Sequence, residues 1–205
     1  MLVCGVIPAR LHSTRLPGKL LLNETGKSLI QHTWEAAAGS ERLDRLIVAT
    51  DSLEILECVH GFGGKACLTG EHPNGTDRIA EVAKQELFDA DILVNIQGDE
   101  PEISPVFIDQ LIDVLIQSPT ADMATLATPI RELEQLQDPS CTKVVCRTDG
   151  SAMYFSRLPI PYTRDQSPEF LLPDQSPWLL HLGIYAYRRP FLLNLTQIPP
   201  TPLEQ

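Results

Sequence analysis

The chain has 205 residues, 43% of them apolar, with a formal net charge of -11 at pH 7. That length supports a buried core without metal or disulfide staples. The acidity argues against nucleic acid as principal partner, because duplex affinity rests on neutralising many phosphates with Lys and Arg. Cys4, Cys58, Cys67, Cys141 and Cys146 form no Cys-x-x-Cys pair and read as reduced thiols. No stretch approaches the length of a membrane span, and the first apolar run is too short for a signal-peptide core, so a cytoplasmic protein without membrane insertion is expected.

The opening run Leu2-Val3-Cys4-Gly5-Val6-Ile7 lacks polar alternation, the pattern of a parallel strand covered on both faces. The loop after it reads Pro8-Ala9-Arg10-Leu11-His12-Ser13-Thr14-Arg15-Leu16-Pro17-Gly18-Lys19, and the first 23 residues contain no Asp or Glu. Positive charge is thus gathered at a strand's carboxyl end, where open α/β sheets bind ligands. Two guanidinium forks and one ammonium suit a polyphosphate; the same loop could equally be a solvated basic surface.

Ser28 to Gln31 is a capping box opening a helix with Ile30, Trp34 and Ala37 on one side. A strand is predicted over 45–50, then a helix capped by Asp51-Ser52 that carries Leu53, Ile55, Leu56 and Val59 into the glycines at 61–64. A short strand over 65–69 and the Pro73-Asn74-Gly75 turn lead to a helix from about Thr76. A strand over 92–97 precedes Gly98-Asp99-Glu100-Pro101. Ser104-Pro105 then opens a helix with Ile108, Leu111, Ile112, Leu115 and Ile116 at helical spacing. This alternation predicts a three-layer α/β fold with a mainly parallel sheet. Beyond Ala121 the pattern changes to strands over 123–130, 143–148, 152–156 and 180–187, with Asp149-Gly150 turning a hairpin. The Pro-, Asp- and Ser-rich segment 159–177 reads as a long surface loop or flap, and residues 198–205 end without a helix or strand.

Two motif matches fail on context. Gly61-x-Gly63-x-x-Ala66 fits a dinucleotide fingerprint but ends a helix and enters a strand. Gly18-Lys19 resembles the end of a Walker A loop, yet Leu20 replaces its Ser or Thr. The five histidines lack zinc-ligand spacing. Asp99, at a strand end, is suited to magnesium or to a solvated helix cap. Arg78 and Arg157 are each a carboxylate clamp or a surface ion pair. His181, Gly183 and Tyr185 alternate onto one strand face, either a sugar-binding wall or an exposed surface.

Taken in order, Pro8-Ala9-Arg10, Ser13, Arg15, Pro17-Gly18-Lys19, Ala49-Thr50-Asp51, Gly75-Thr76-Asp77-Arg78, Val94-Asn95-Ile96-Gln97-Gly98-Asp99-Glu100-Pro101, Tyr154-Phe155-Ser156-Arg157 and His181-Leu182-Gly183-Ile184-Tyr185 resemble the 3-deoxy-manno-octulosonate cytidylyltransferases over the whole chain. The sialic acid cytidylyltransferases share the basic loop but lack its Arg15-Leu16-Pro17-Gly18-Lys19 form. The resemblance implies a Rossmann-like nucleotidyltransferase domain over 1–205, with a small antiparallel lobe for sugar binding and dimerisation within 121–187. It implies transfer of CMP from CTP to 3-deoxy-D-manno-octulosonate (KDO) for lipopolysaccharide biosynthesis, a magnesium requirement and a homodimer. CTP would be held by Pro8, Ala9, Arg10, Ser13, Arg15, Lys19, Asn74 and Gly75, with Arg10, Lys19 and Asp99 catalytic and Asp99 also the metal ligand. The sugar acid would be held by Arg78, Gln97, Arg157, His181 and Tyr185. Leu20, where proline is common, and Asp77, where Glu is common, are mild departures. Family members continue beyond Pro202-Leu203-Glu204 with a Glu/Leu-rich helix, further strands and a second metal-binding Asp, so a truncated version is expected. The alternatives are a cytidylyltransferase for another 2-keto sugar acid and a fragment that binds CTP without turnover.

Overall fold

A computed structural model describes residues 1–11, 16–199 and 201. In chain order its elements are β1 (Val3–Ala9), a 3-10 turn (Lys19–Leu21), α1 (Leu29–Ala37), β2 (Arg45–Thr50), α2 (Leu53–Gly61), β3 (Ala66–Leu68), α3 (Gly75–Gln85), β4 (Ile92–Asn95), α4 (Pro105–Gln117), β5 (Met123–Pro129), α5 (Leu133–Gln137), β6 (Lys143–Cys146), β7 (Ala152–Ser156), α6 (Pro168–Gln175), β8 (Leu179–Arg188) and α7 (Arg189–Leu195). They fall into two units, Met1–Ala124 with Ile184–Gln205, and Thr125–Gly183. Among the described residues no helix is long and apolar enough to cross a membrane, and all five cysteines are free thiols.

In the first unit β1 to β4 run parallel in the order β3-β2-β1-β4, and the end of β8 adds antiparallel to β4, with Asn95 opposite Tyr185 and Ile92 opposite Arg188. The near-continuous apolar run of β1 is explained by cover on both faces. Cys4 and Val6 join Leu93, Ile79, Ala83 and Leu192 in one cluster beneath α3 and α7, while Ile7 and Ile30 meet beside Gly98 on the other face. Burial pushes the Cys4 thiol up to about 11, which keeps it protonated at neutral pH. α4 buries Ile108, Leu111, Ile112 and Leu115 completely, and Ile116, near its end, is partly exposed.

Side chains set the helix starts much as the composition suggests. Ser28, Ser52 and Asn74 accept from the backbone N–H groups of Gln31, Ile55 and Asp77 at 3.4, 3.3 and 2.9 Å. The box at α1 is not reciprocal, because the Gln31 amide donates to Glu35 at 2.9 Å instead. At α2 the cap is Ser52 alone, and Asp51 turns elsewhere.

The first strand is longer than its apolar run. Pro8 and Ala9 continue it, opposite Ala49 and Thr50 of β2. A proline inside a central strand would normally remove a ladder bond. Here the Val6 carbonyl faces β4, accepting from Ile96 N–H at 3.0 Å, and a residue two further along faces the same way. The β1–β4 ladder has ended at the Val6–Asn95 pair, so the N–H that Pro8 lacks has no partner to lose.

In the second unit β6 pairs antiparallel with β7 and with the start of β8. The hairpin turns at Gly150, whose φ of 85° is the left-handed conformation that glycine adopts freely. Lys143 is fully buried, its ammonium donating to the carbonyls of Asp138 and Cys141 at 3.0 and 2.5 Å. Segment 159–177 is not all loop: Ser167-Pro168 starts α6, and Leu172 packs with Trp178, Ile130 and Leu136 in a small core. The Trp178 indole N–H donates to the Pro161 carbonyl at 2.8 Å. Proline content suggested an open loop, but proline in the first turn of a helix costs no hydrogen bond.

Candidate active site

The strand order reverses at β1, since the chain moves from β1 to β2 on one side and places β4 on the other. Such a point opens a crevice beyond the carboxyl ends of the strands. A cavity of about 380 Å³ lies there. It is lined by Pro8, Ala9 and Arg10 after β1, Lys19 and Leu20 from the 3-10 turn, His72 to Gly75 at the start of α3, Arg78 within that helix, and Gln97 to Asp99 after β4.

Local conformation places the charges. Gly18 adopts a φ of 68° and donates its N–H to the Leu11 carbonyl at 3.0 Å, closing the basic loop at its base. Leu20 is buried and anchors the turn, so the leucine at a position where proline is common still serves as a hydrophobic foot. Lys19 Nζ then donates to the Asp99 carboxylate across the cleft. Neighbouring Glu100 has its pKa raised by burial, with the Asp99 charge adding to the effect.

The glycines of the cleft allow close approach. A Cβ on Gly75 would lie 3.1 Å from the Pro8 ring, and one on Gly98 would lie 3.2 Å from the Pro8 carbonyl oxygen. The start of α3 and the end of β4 therefore both press against β1. Gly98 is fixed further by the Thr33 hydroxyl, which donates to its carbonyl at 3.0 Å.

Of the residues expected to hold a nucleotide, Pro8, Ala9, Arg10, Lys19, Asn74 and Gly75 all line this cavity. Ser13 and Arg15 lie outside the described residues. Asn74 has a second task, since its amide caps α3 and donates to the Asp77 carboxylate at 2.9 Å. Among the residues expected to hold a sugar acid, Arg78 and Gln97 line the same cavity. Arg78 is 3% exposed and forms an ion pair with Asp51 at 2.5 Å, with further bonds to Thr69 and to the Gly70 carbonyl. It is thus a buried guanidinium paired to a carboxylate whose side chain is 25% exposed. Tyr185 stacks on Tyr187 with ring centres 6.0 Å apart. Tyr187 is buried, and desolvation pushes its pKa up to about 12.

Arg157 and His181 belong to the second unit. The Arg157 guanidinium donates to the Pro139 carbonyl at 2.8 Å. His181 Nε2 lies 2.9 Å from the Thr125 hydroxyl, and Phe155 meets its ring edge-on at 5.0 Å. Burial lowers the His181 pKa, favouring the neutral imidazole. Sequence reasoning missed Leu20, His72, Pro73 and Gly98 as lining groups. Proximity to Asn74 in the chain was the available signal for His72 and Pro73.

The basic turn facing a strand-end acid at the reversal point defines a nucleotidyltransferase-type site. The cytidylyltransferase family model matches residues 4–205, and the chain belongs to that family. It is 48% identical to the 3-deoxy-manno-octulosonate cytidylyltransferase of Rhodopirellula baltica over 98% of this chain and 80% of that protein. For the protein of the same name from Geobacter sulfurreducens the identity is 42%, over 100% of this chain and 83% of the relative. A solved CMP:2-keto-3-deoxy-manno-octonic acid synthetase complexed with CTP superposes with a TM-score of 0.91 at 42% identity, covering 100% of this chain and 81% of that one. The fold alone is shared with the 4-diphosphocytidyl-2C-methyl-D-erythritol synthase of Anaerococcus prevotii, at a TM-score of 0.59 and 12% identity over 96% and 74% of the two chains.

The tight seat of Gly98 is directly testable. Gly98→Ala forces a methyl group against main chain of a central strand, an overpacking that costs about 1–3 kcal/mol. Urea unfolding should register that loss, and an unchanged midpoint would show that the β4 end is free to move.

Proposed function

We propose that this chain transfers CMP from CTP to KDO, releasing pyrophosphate, as a step of lipopolysaccharide biosynthesis. The observation that carries the reading is the cleft beyond β1 and β4 that Arg10, Lys19 and Asp99 line together, in a chain 48% identical to a protein named for that sugar. Phosphoryl-type transfer asks a protein chiefly to position reactants and to stabilise charge on phosphate oxygens. Arg10 and Lys19, together with Ser13 and Arg15, bind the triphosphate, and Pro8, Ala9, Asn74 and Gly75 complete the nucleotide site. The anomeric hydroxyl of KDO attacks the α-phosphorus in line. A new P–O bond forms there as the bond to pyrophosphate breaks, and the hydroxyl releases its proton to water.

Asp99 would hold magnesium. It is the one carboxylate among the described residues that line the cleft, and its side chain is 40% exposed. That sparse donor set fits magnesium, which binds through one or two carboxylates and fills its shell with water and substrate phosphates. When bound, magnesium supplies positive charge to the phosphate oxygens and the attacking hydroxyl. Lys19, already beside that carboxylate, keeps a second positive charge at the same place.

In the first unit the groups we assign to the sugar acid are Arg78, Gln97 and Tyr185; Arg157 and His181, expected from the sequence to join them, belong to the second unit. Because Arg78 is committed to Asp51, its contribution is to shape the floor of the cleft as well as to add charge. We place the protein in the cytoplasm, where its five free thiols suit a reducing compartment. We also infer a homodimer, supported by the exposed apolar side chains of Met153, Tyr154 and Leu158 on and after β7, since such patches mark association surfaces.

The deciding experiment is product formation from CTP with KDO, its amino analogue and sialic acid assayed in parallel, with KDO the preferred acceptor. Lys19→Ala should lower kcat/KM for CTP by about 10²-fold, the usual scale for losing one charge contact to a developing anion; near-normal activity would remove Lys19 from the triphosphate site. Asp99→Asn should shift the magnesium dependence of turnover to higher concentration, and a superimposable titration would exclude it as the ligand. Sedimentation of the 22.7 kDa chain should give the mass of a pair at micromolar concentration, whereas a single-chain mass argues against the dimer.

A further inference from the structure

The wall of the cleft between β3 and α3 is held from behind. Residues 69–74 carry no helix or strand, so their placement depends on what grips them. Two side chains of α3, three residues apart and hence on one helix face, take hold of the same peptide. Arg78 Nη1 donates to the Gly70 carbonyl at 3.4 Å and also to the Thr69 hydroxyl. Glu81 accepts from the Gly70 N–H at 3.0 Å, and its Oε2 lies 2.5 Å from His72 Nε2. The Gln85 amide adds a donor to the same carboxylate at 3.3 Å. His72 lines the cleft and Glu81 does not.

Both side chains of the His72–Glu81 pair are 21% exposed, well short of the freedom of a surface ion pair. The hydrogen bond to His72, aided by the Gly70 N–H, holds the Glu81 carboxyl below the usual carboxylate range, as expected for an acceptor that is charged at neutral pH. An unregular segment that had to be ordered by the ligand would draw that ordering cost from affinity; one already pinned does not. We propose that Glu81 is a positioning residue for nucleotide binding, acting through His72 and the Gly70 amide to preform the wall made by residues 72–74. The inference rests on the nucleotide reading of this cleft.

Calorimetric titration of CTP into the full chain tests it without the sugar acid. Glu81→Ala and His72→Ala should each raise the Kd for CTP about tenfold, and the double variant should be no worse than the weaker single by more than about twofold, because both act through one contact. Glu81→Gln keeps an acceptor for the Gly70 N–H and loses the charge at His72, so a rise of about threefold is expected. In the Glu81 variants turnover at saturating CTP and the KM for KDO should stay within about twofold of the parent, a split that a general loss of structure would not produce. Binding by the parent chain with an unaltered Kd in Glu81→Ala overturns the positioning role alone, as does a double variant whose loss is the product of the singles. If Glu81→Ala does not fold, an unaltered Kd in both His72→Ala and Glu81→Gln overturns it equally. A parent chain that binds no CTP overturns the nucleotide reading and this inference together.

Discussion

The Val6–Asn95 pair is the last at which β1 and β4 are joined, and the cleft lies just beyond it. Past that pair β1 continues along β2 through Pro8 and Ala9, while the chain leaving β4 turns through Gln97 and Gly98 to Asp99. A proline is tolerated in β1 because the partner on that side has gone. Two glycines then let backbone replace side chain: Gly75 against the Pro8 ring and Gly98 against the Pro8 carbonyl. The cleft is therefore built mainly from main-chain contacts around one proline, and its charged groups hang from a rigid frame.

That frame also resolves an apparent conflict of charge. A chain of net charge -11 repels a nucleotide triphosphate at long range, yet the repulsion is screened over about 8 Å at physiological salt. Within that distance the cleft presents Arg10 and Lys19, not the average surface. Asp99 faces them from the β4 side, so the local field changes sign across the cleft, a suitable arrangement for holding an anion and a divalent cation side by side.

Much of this was legible in the sequence because it is local. Ser28 and Ser52 mark helix starts through bonds made within four residues, Ser104-Pro105 marks one by a proline in the first turn, and the buried stripe of α4 follows from spacing alone. The run 2–7 disclosed a strand covered on both faces for the same reason. Legibility failed where proline misled, at Pro8 within a strand and at Pro168 opening α6, since in each case the missing N–H is harmless only in a context that the sequence does not print. It failed again where partners are distant in the chain. Asp51 and Arg78 meet across 27 positions, and nothing in either neighbourhood distinguishes a buried pair from a solvated one. Glu81 resembled any polar helix residue until the Gly70 peptide was seen behind it.

The pairing of Asp51 with Arg78 binds the fate of the two residues together. A guanidinium with 4% of its side chain in contact with solvent cannot recover its hydration if the carboxylate disappears, and an orphaned interior charge is far worse than an absent one. Replacing Asp51 alone meets that penalty, whereas replacing Arg78 leaves a carboxylate whose side chain is 25% exposed and can be hydrated. Loss of the acid is therefore harder to tolerate than loss of the base, and a chain that keeps only the guanidinium would be expected to be compromised in folding before its chemistry could be judged.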